Sequence, residues 1–180
     1  ARRTERPILS LGLLHNATFR ASVTGGSLFR IGIGAVPFLL PLMLQLGYGL
    51  NPFQSGMITF VSAIGAMSMK FAATAIFARY GFRPVLVVAG LGAAVTVAAT
   101  AAVSPVAGAA WGLYLVLLAG GFSRSLFFTG VNALAFAEIS DREASQATAF
   151  SAVAQQTSIA MGVAVAGGIL ETALYFRGGE

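Results

Sequence analysis

Five long apolar segments, separated by short connections rich in turn-forming residues, constrain this chain more than any other feature. A spanning helix needs about 20 apolar residues to cross roughly 30 Å of hydrocarbon, and each segment is long enough. The segments predict membrane helices at 18–46, 52–78, 84–103, 109–137 and 143–170. A membrane barrel would instead need short alternating runs. We therefore predict an all-α integral membrane protein.

The composition agrees with this fold class. Hydrophobic residues make up 57% of the 180 residues and charged residues only 9%, against about 25% charged in a typical soluble domain. The net charge of +5 comes from cations scattered singly along apolar runs, which argues against a nucleic-acid surface. The chain has no cysteine and one histidine, so no metal site or cofactor is predicted.

The flanking cations predict the orientation, because Lys and Arg concentrate on the cytoplasmic side of membrane proteins. Seven arginines flank one side of the predicted bundle: Arg2, Arg3, Arg6, Arg20, Arg79, Arg83 and Arg142. Only Arg177 flanks the other. The N-terminus is therefore predicted to be cytoplasmic and the C-terminal end of the chain outside.

Turn residues predict how three of the helices begin and end. Asn51 and Pro52 suit an N-cap and a first helical position. Gly81 suits the end of a helix. The spacing of Ser140 and Glu143 predicts a capping box, in which each side chain bonds the backbone N–H of the other residue.

Polar side chains within the membrane segments are distributed unequally. The third helix has only Thr96 and Thr100, which can bond their own helix backbone, so it is predicted to face lipid. The other four helices carry polar groups that predict a solute pathway. The predicted cavity residues are Arg30, Lys70, Arg124, Asn132, Gln155 and Gln156.

The three cations differ in depth. Arg124 lies 13 residues from both Trp111 and Ala137, near mid-membrane, where a lipid-facing charge is expensive. We therefore predict that Arg124 faces a cavity. Arg30 and Lys70 lie closer to the cytoplasmic boundary, so extension of their side chains to the headgroups is an open alternative.

Small residues around Arg124 and two prolines complete the candidate site. Gly120 and Gly121 are predicted to leave space beside Arg124, and Ser123 and Ser125 to make its surroundings polar. Pro37 and Pro41 lie one turn apart in the first helix, where each removes an intrahelical hydrogen bond. They predict a bend that serves as a gate, although proline also occurs in membrane helices for packing alone.

Four segments resemble one known family. Residues 7–20 resemble its amphipathic lead-in, 41–56 its first outer turn, and 132–135 with Gln155 and Gln156 its last-but-one helix region. Arg79, Gly81 and Arg83 match a second copy of its cytoplasmic loop motif, with Thr74 and Ala78 where the motif has Gly and Asp. The chain thus resembles the C-terminal half of a major facilitator superfamily transporter, in the fourteen-helix drug:proton antiporter branch.

The resemblance implies a function and a domain plan. The function is secondary active export of small amphipathic compounds by alternating access, with protons as coupling ion, in a bacterial inner membrane. The implied partners are the lipid bilayer, the small-molecule substrate and an N-terminal helical bundle absent from this chain. The implied domains are a cytoplasmic lead-in at 1–17, a bundle at 18–174 holding five of six helices, and an outer tail at 175–180.

Two other functions remain open from the residues alone. A non-transporting structural or assembly subunit would also be helical and apolar, although the mid-membrane cations argue against it. A membrane-embedded enzyme would need a metal or a paired acid and base. No carboxylate lies at membrane depth, since Glu138, Asp141 and Glu143 cluster at a predicted turn and Glu171 lies beyond the fifth helix. We therefore predict that the chain is not an enzyme.

Overall fold

The computed structural model describes residues 11–102, 110–176 and Gly178. After a short 3-10 turn at Leu11–His15, it contains α1 (Ala17–Ile33), α2 (Val36–Leu42), α3 (Pro52–Tyr80), α4 (Phe82–Ala102), α5 (Ala110–Phe136) and α6 (Asp141–Phe176). The described residues include no strand.

Five helical stretches within the described residues are long and apolar enough to cross a membrane: Ala17–Gly47, Pro52–Tyr80, Phe82–Ala102, Trp111–Phe136 and Glu143–Ala173. These stretches confirm the predicted all-α membrane fold class. The last helix continues to Phe176, beyond its predicted end at Leu170. Residues 1–10 of the predicted lead-in and residues 177, 179 and 180 of the predicted tail lie outside the described residues.

The first membrane segment is interrupted in its middle. The α1 helix ends at Ile33, and the Gly34 N–H still donates to the Arg30 carbonyl at 2.6 Å. The chain resumes as α2, which contains Pro41, and then forms one π-helical turn at Met43–Gly47. Pro37 has no N–H to donate to the carbonyl of Ile33, where α1 ends. The interruption therefore lies just before Pro37, whereas Pro41 lies inside α2.

The start of α3 confirms the predicted cap. The Gln54 N–H donates to the Asn51 side chain at 2.8 Å, and the Asn51 N–H donates to the Gln54 side chain at 3.2 Å. Pro52 occupies the first turn, where its missing N–H costs no intrahelical bond. At the other end, Gly81 follows α3 with a φ of 76°, which glycine adopts at little cost.

The predicted bonding at Ser140 is wrong. The Ser140 hydroxyl donates to the Glu143 carboxylate at 2.7 Å, and the Glu143 N–H donates to the Ser140 backbone carbonyl at 2.9 Å. A hydroxyl bonded directly to a carboxylate forms a charge-assisted hydrogen bond, which is stronger than a bond between neutral groups. The two side chains therefore pair with each other instead of exchanging backbone bonds.

The chain divides into two compact units, of which the first comprises Ala1–Ala35 and Asn132–Glu180. In this unit α1 packs along α6, with the rings of Phe19 and Phe150 edge to face at 5.8 Å between centroids. A Cβ added to Gly162 would lie 2.6 Å from the Ile31 carbonyl oxygen. The two helix backbones therefore meet closely at Gly162.

The second unit is Val36–Val131. Its two apolar cores contain Leu40, Leu44, Ile58, Leu113 and Leu117 in one, and Met69, Ala73, Val85, Ala89 and Leu126 in the other. The α4 helix packs on α5, where Cβ atoms added to Gly92 and Gly120 would each lie 3.0 Å from Ser123 and Thr96 hydroxyls, respectively. The hydroxyls of Thr96 and Thr100 donate to the carbonyls of Ala93 and Val97, as predicted.

Candidate substrate site

The central feature of the second unit is a direct backbone contact between α3 and α5. A Cβ on Gly121 would overlap the carbonyl oxygen of Ser62, and a Cβ on Gly65 would overlap that of Leu118. Small residues at helix interfaces let backbones approach this closely in membranes. The Ser125 hydroxyl adds a hydrogen bond to the Ala66 carbonyl at 3.0 Å. The contact therefore extends over about one turn of α3 and two turns of α5.

Arg124 lies within this contact. Its Nη2 donates a hydrogen bond to the Ser62 hydroxyl oxygen on α3. Arg124 is half-buried, and none of the acidic side chains that the structure describes forms an ion pair with it. Arg124 is residue 14 of the 26-residue apolar stretch Trp111–Phe136, so its backbone lies near the middle of a membrane-length helix. The site therefore combines a cation and a hydroxyl at depth.

The predicted space beside Arg124 is absent at both glycines. The Ser62 backbone fills the space beside Gly121, and Gly120 faces Thr96 of α4. Ser123 also faces α4, at Gly92, and only Ser125 among the two predicted serines lies at the α3 contact. The prediction was wrong because the space beside a glycine in a membrane helix is more often filled by a neighbouring helix than left open.

The other predicted cavity residues fall in both units. In the second unit, Lys70 is exposed on α3. In the first unit, Arg30 is buried on α1 with 6% of its surface exposed, whereas Asn132 on α5 and Gln155 and Gln156 on α6 are exposed. Their role in a cavity stays a prediction, and so does the gate role of Pro37, which is exposed, and of Pro41, which is half-buried.

The residues of the loop motif lie at the turn between α3 and α4. Arg79 and Arg83 are exposed, and the guanidinium carbon of Arg79 lies 5.5 Å from the centre of the Tyr80 ring. Phe77 and Phe82 stack across the turn at 4.8 Å between centroids. A Cβ on Gly130 of α5 would lie 2.6 Å from the Phe77 ring. The aromatic pair therefore holds the turn against α5.

Sequence reasoning missed Ser62. It lies 62 residues before Arg124, so no local pattern links the two. The available signal was the spacing of small residues on α3, since Ser62, Gly65 and Ala66 recur at the interval that places side chains on one helix face. That spacing predicts a helix contact but does not identify α5 as the partner.

The arrangement presents groups that suit an anion. A guanidinium and a hydroxyl are both hydrogen-bond donors suited to carboxylate or phosphate oxygens. Among the described residues no group of three or more His, Asp or Glu side chains could hold a metal ion.

Comparison with known proteins identifies the class. The sequence profile of the Major Facilitator Superfamily matches residues 1–163. The chain belongs to this superfamily of membrane transporters, which confirms the resemblance found in the sequence.

Three similar proteins carry the name "Putative multidrug resistance protein MdtD". The protein of Pectobacterium carotovorum strain PC1 is 36% identical over 170 residues, which cover 94% of this chain and 36% of that protein. The protein of Klebsiella pneumoniae strain 342 is 35% identical with the same coverage. The protein of Serratia proteamaculans is 34% identical over 93% of this chain and 35% of its own length. The chain therefore spans about a third of these relatives. No solved structure matches it significantly.

Proposed function

We propose that this chain is part of a secondary active transporter that exports small amphipathic or drug-like compounds by alternating access. The observation that carries the proposal is the match of 94% of the chain to proteins named for multidrug resistance. Membership of the superfamily and five membrane-length helices support it. The finer assignment is the fourteen-helix drug:proton antiporter branch, in a bacterial inner membrane with the N-terminus in the cytoplasm.

The proposed substrate cavity is formed with a second helical bundle of the full-length protein. Arg124 is the residue with the best support, because it lies at mid-depth, is half-buried and is held by Ser62. Arg30, Lys70, Asn132, Gln155 and Gln156 are the further proposed cavity residues. Arg79, Gly81 and Arg83 form the proposed cytoplasmic loop motif, and the prolines of α2 form the proposed gate.

Proton coupling is proposed to depend on carboxylates outside this chain. A coupling carboxylate must lie deep enough for desolvation to raise its pKa, so that it binds and releases protons during transport. Glu138 is exposed between α5 and α6, Glu143 is exposed in the first turn of α6, and Glu171 is exposed near the end of α6. In the sequence these three lie towards helix ends, whereas Arg124 lies near the middle of its apolar stretch.

The test uses the full-length protein in inverted membrane vesicles, with ethidium uptake driven by an imposed pH gradient. We expect wild-type vesicles to accumulate ethidium and a protonophore to abolish accumulation. A variant with Glu138, Asp141, Glu143 and Glu171 all changed to Gln or Asn should retain at least half of the wild-type rate. Loss of coupling in this variant, with normal membrane levels, would place the proton carrier within the chain.

A structural or assembly subunit is the alternative outcome. It is supported if cells that express the full-length protein at normal membrane levels show unchanged susceptibility to a broad panel of amphipathic antibiotics and dyes. That result would contradict the proposed transport.

A further inference from the structure

Ser62 uses its hydroxyl differently from the other bonded hydroxyls of α3. The Thr59 hydroxyl donates to the Ser55 carbonyl at 3.1 Å, and the Ser68 hydroxyl donates to the Gly65 carbonyl at 2.9 Å. Both bonds satisfy the donor within the same helix, which is the usual arrangement in membrane helices. The Ser62 oxygen instead accepts from Arg124, and its own hydrogen has no acceptor among the described residues.

The result is a cluster of donors with a positive charge. A hydroxyl that accepts a bond from a guanidinium keeps its O–H as a donor, directed away from that guanidinium. Arg124 has five N–H donors, of which one bonds to Ser62 among the described residues. Such donors are costly to leave unpaired at membrane depth. The chemistry that satisfies a cation and a neighbouring hydroxyl together is an oxyanion.

The cluster is also held in place before any ligand binds. The backbone contacts of Gly65 with Leu118 and of Gly121 with Ser62 hold α3 against α5 next to Arg124. The Ser125 hydroxyl is committed to the Ala66 carbonyl, so it does not compete for Arg124. Donors held in position by a rigid support bind a ligand with less loss of conformational entropy.

We infer that Ser62 and Arg124 together form a binding site for the carboxylate of a small organic acid, for which benzoate serves as the probe. One carboxylate oxygen accepts from the Arg124 guanidinium and the other from the Ser62 hydroxyl. Ser62 is thus a specificity-determining residue, which favours anionic over neutral ligands of the same shape. The role of this site in transport rests on the proposed function, but ligand binding itself can be measured without transport.

The test compares benzoate with benzamide, which have nearly the same shape but differ in charge. Purified full-length protein in detergent is titrated with each compound, and apparent affinity is obtained from the rise in thermal unfolding temperature. We expect wild type to bind benzoate at least tenfold more tightly than benzamide. Ser62→Ala should weaken benzoate binding about tenfold, which is the effect of removing one hydrogen bond to a charged group. Arg124→Ala should abolish the preference for benzoate.

Ser68→Ala is the matched control. It removes the same hydroxyl from the same helix, but that hydroxyl is satisfied by the Gly65 carbonyl, so the preference for benzoate should be unchanged. The inference is overturned if wild type does not distinguish the two compounds or if Ser62→Ala retains the full preference. A third outcome also overturns it: benzoate has no effect on wild type, and Arg124→Ala without ligand strongly lowers the unfolding temperature. Arg124 then pairs with an acid of the protein. None of these results depends on ethidium transport, so the proposed function can fail or stand separately.

Discussion

At the scale of single residues, the glycines of α3 divide by what a methyl group would meet. A Cβ on Gly65 would overlap the Leu118 backbone, whereas a Cβ on Gly56 would have nothing within 4 Å. A backbone carbonyl cannot move aside as a flexible side chain can. Gly65 therefore determines how closely α3 and α5 approach, while Gly56 only lowers the helix propensity of α3.

Gly65→Ala is expected to destabilise the full-length protein by about 1–3 kcal/mol, which is typical of overpacking in a close contact. Gly56→Ala is the matched control and should be neutral or stabilising by up to about 1 kcal/mol. The measurement is the free energy of unfolding in mixed detergent micelles. Equal effects of the two changes would show that α3 and α5 separate easily, which would contradict the close contact between Gly65 and the Leu118 backbone.

The candidate site shows which parts of a site can be predicted from single residues. The depth of Arg124 follows from counting residues within an apolar segment, because a helix has a constant rise. Its contact with Ser62 could not be predicted in this way, because it depends on which helices are neighbours and at what height they meet. Gly121 was expected to leave space and instead packs against α3 for the same reason, because the sequence does not show which helices are neighbours.

At the scale of elements, most helix boundaries could be predicted because they carry local signals. Asn51 with Gln54 begins α3, and Gly81 follows its end. The first membrane segment was harder to predict, since its apolar sequence is continuous whereas its helix is interrupted. The prolines indicate where hydrogen bonds are lost, but the extent of the π-helical turn at Met43–Gly47 depends on packing that the local sequence does not show.

Changing both Pro37 and Pro41 to Ala is expected to restore two backbone donors and to favour a continuous first helix. If this helix acts as a gate, the turnover of ethidium transport should fall several-fold while the protein remains inserted at normal levels. Pro52→Ala is the matched control, because a proline in the first turn of a helix costs no hydrogen bond. Unchanged turnover in the double variant would assign the prolines to packing alone.

At the scale of the whole molecule, five spans and the distribution of cations predict where each connection lies. Reporter fusions in the full-length protein should therefore read outside at Tyr48 and at Pro105, which lies beyond the described residues. Fusions at Phe82 and Asp141 should read inside. An inverted signal at any one of these four sites would contradict the proposed orientation.

The hydrogen bond between Arg124 and Ser62 also bears on how the protein enters the membrane. An arginine at the centre of a helix costs about 2.5–3.5 kcal/mol during insertion. Ser62 precedes Arg124 by 62 residues, so ribosomes complete α3 before α5 emerges. When α5 is inserted during biogenesis, α3 has therefore already been made and carries both a polar partner, Ser62, and a close-packing position, Gly65.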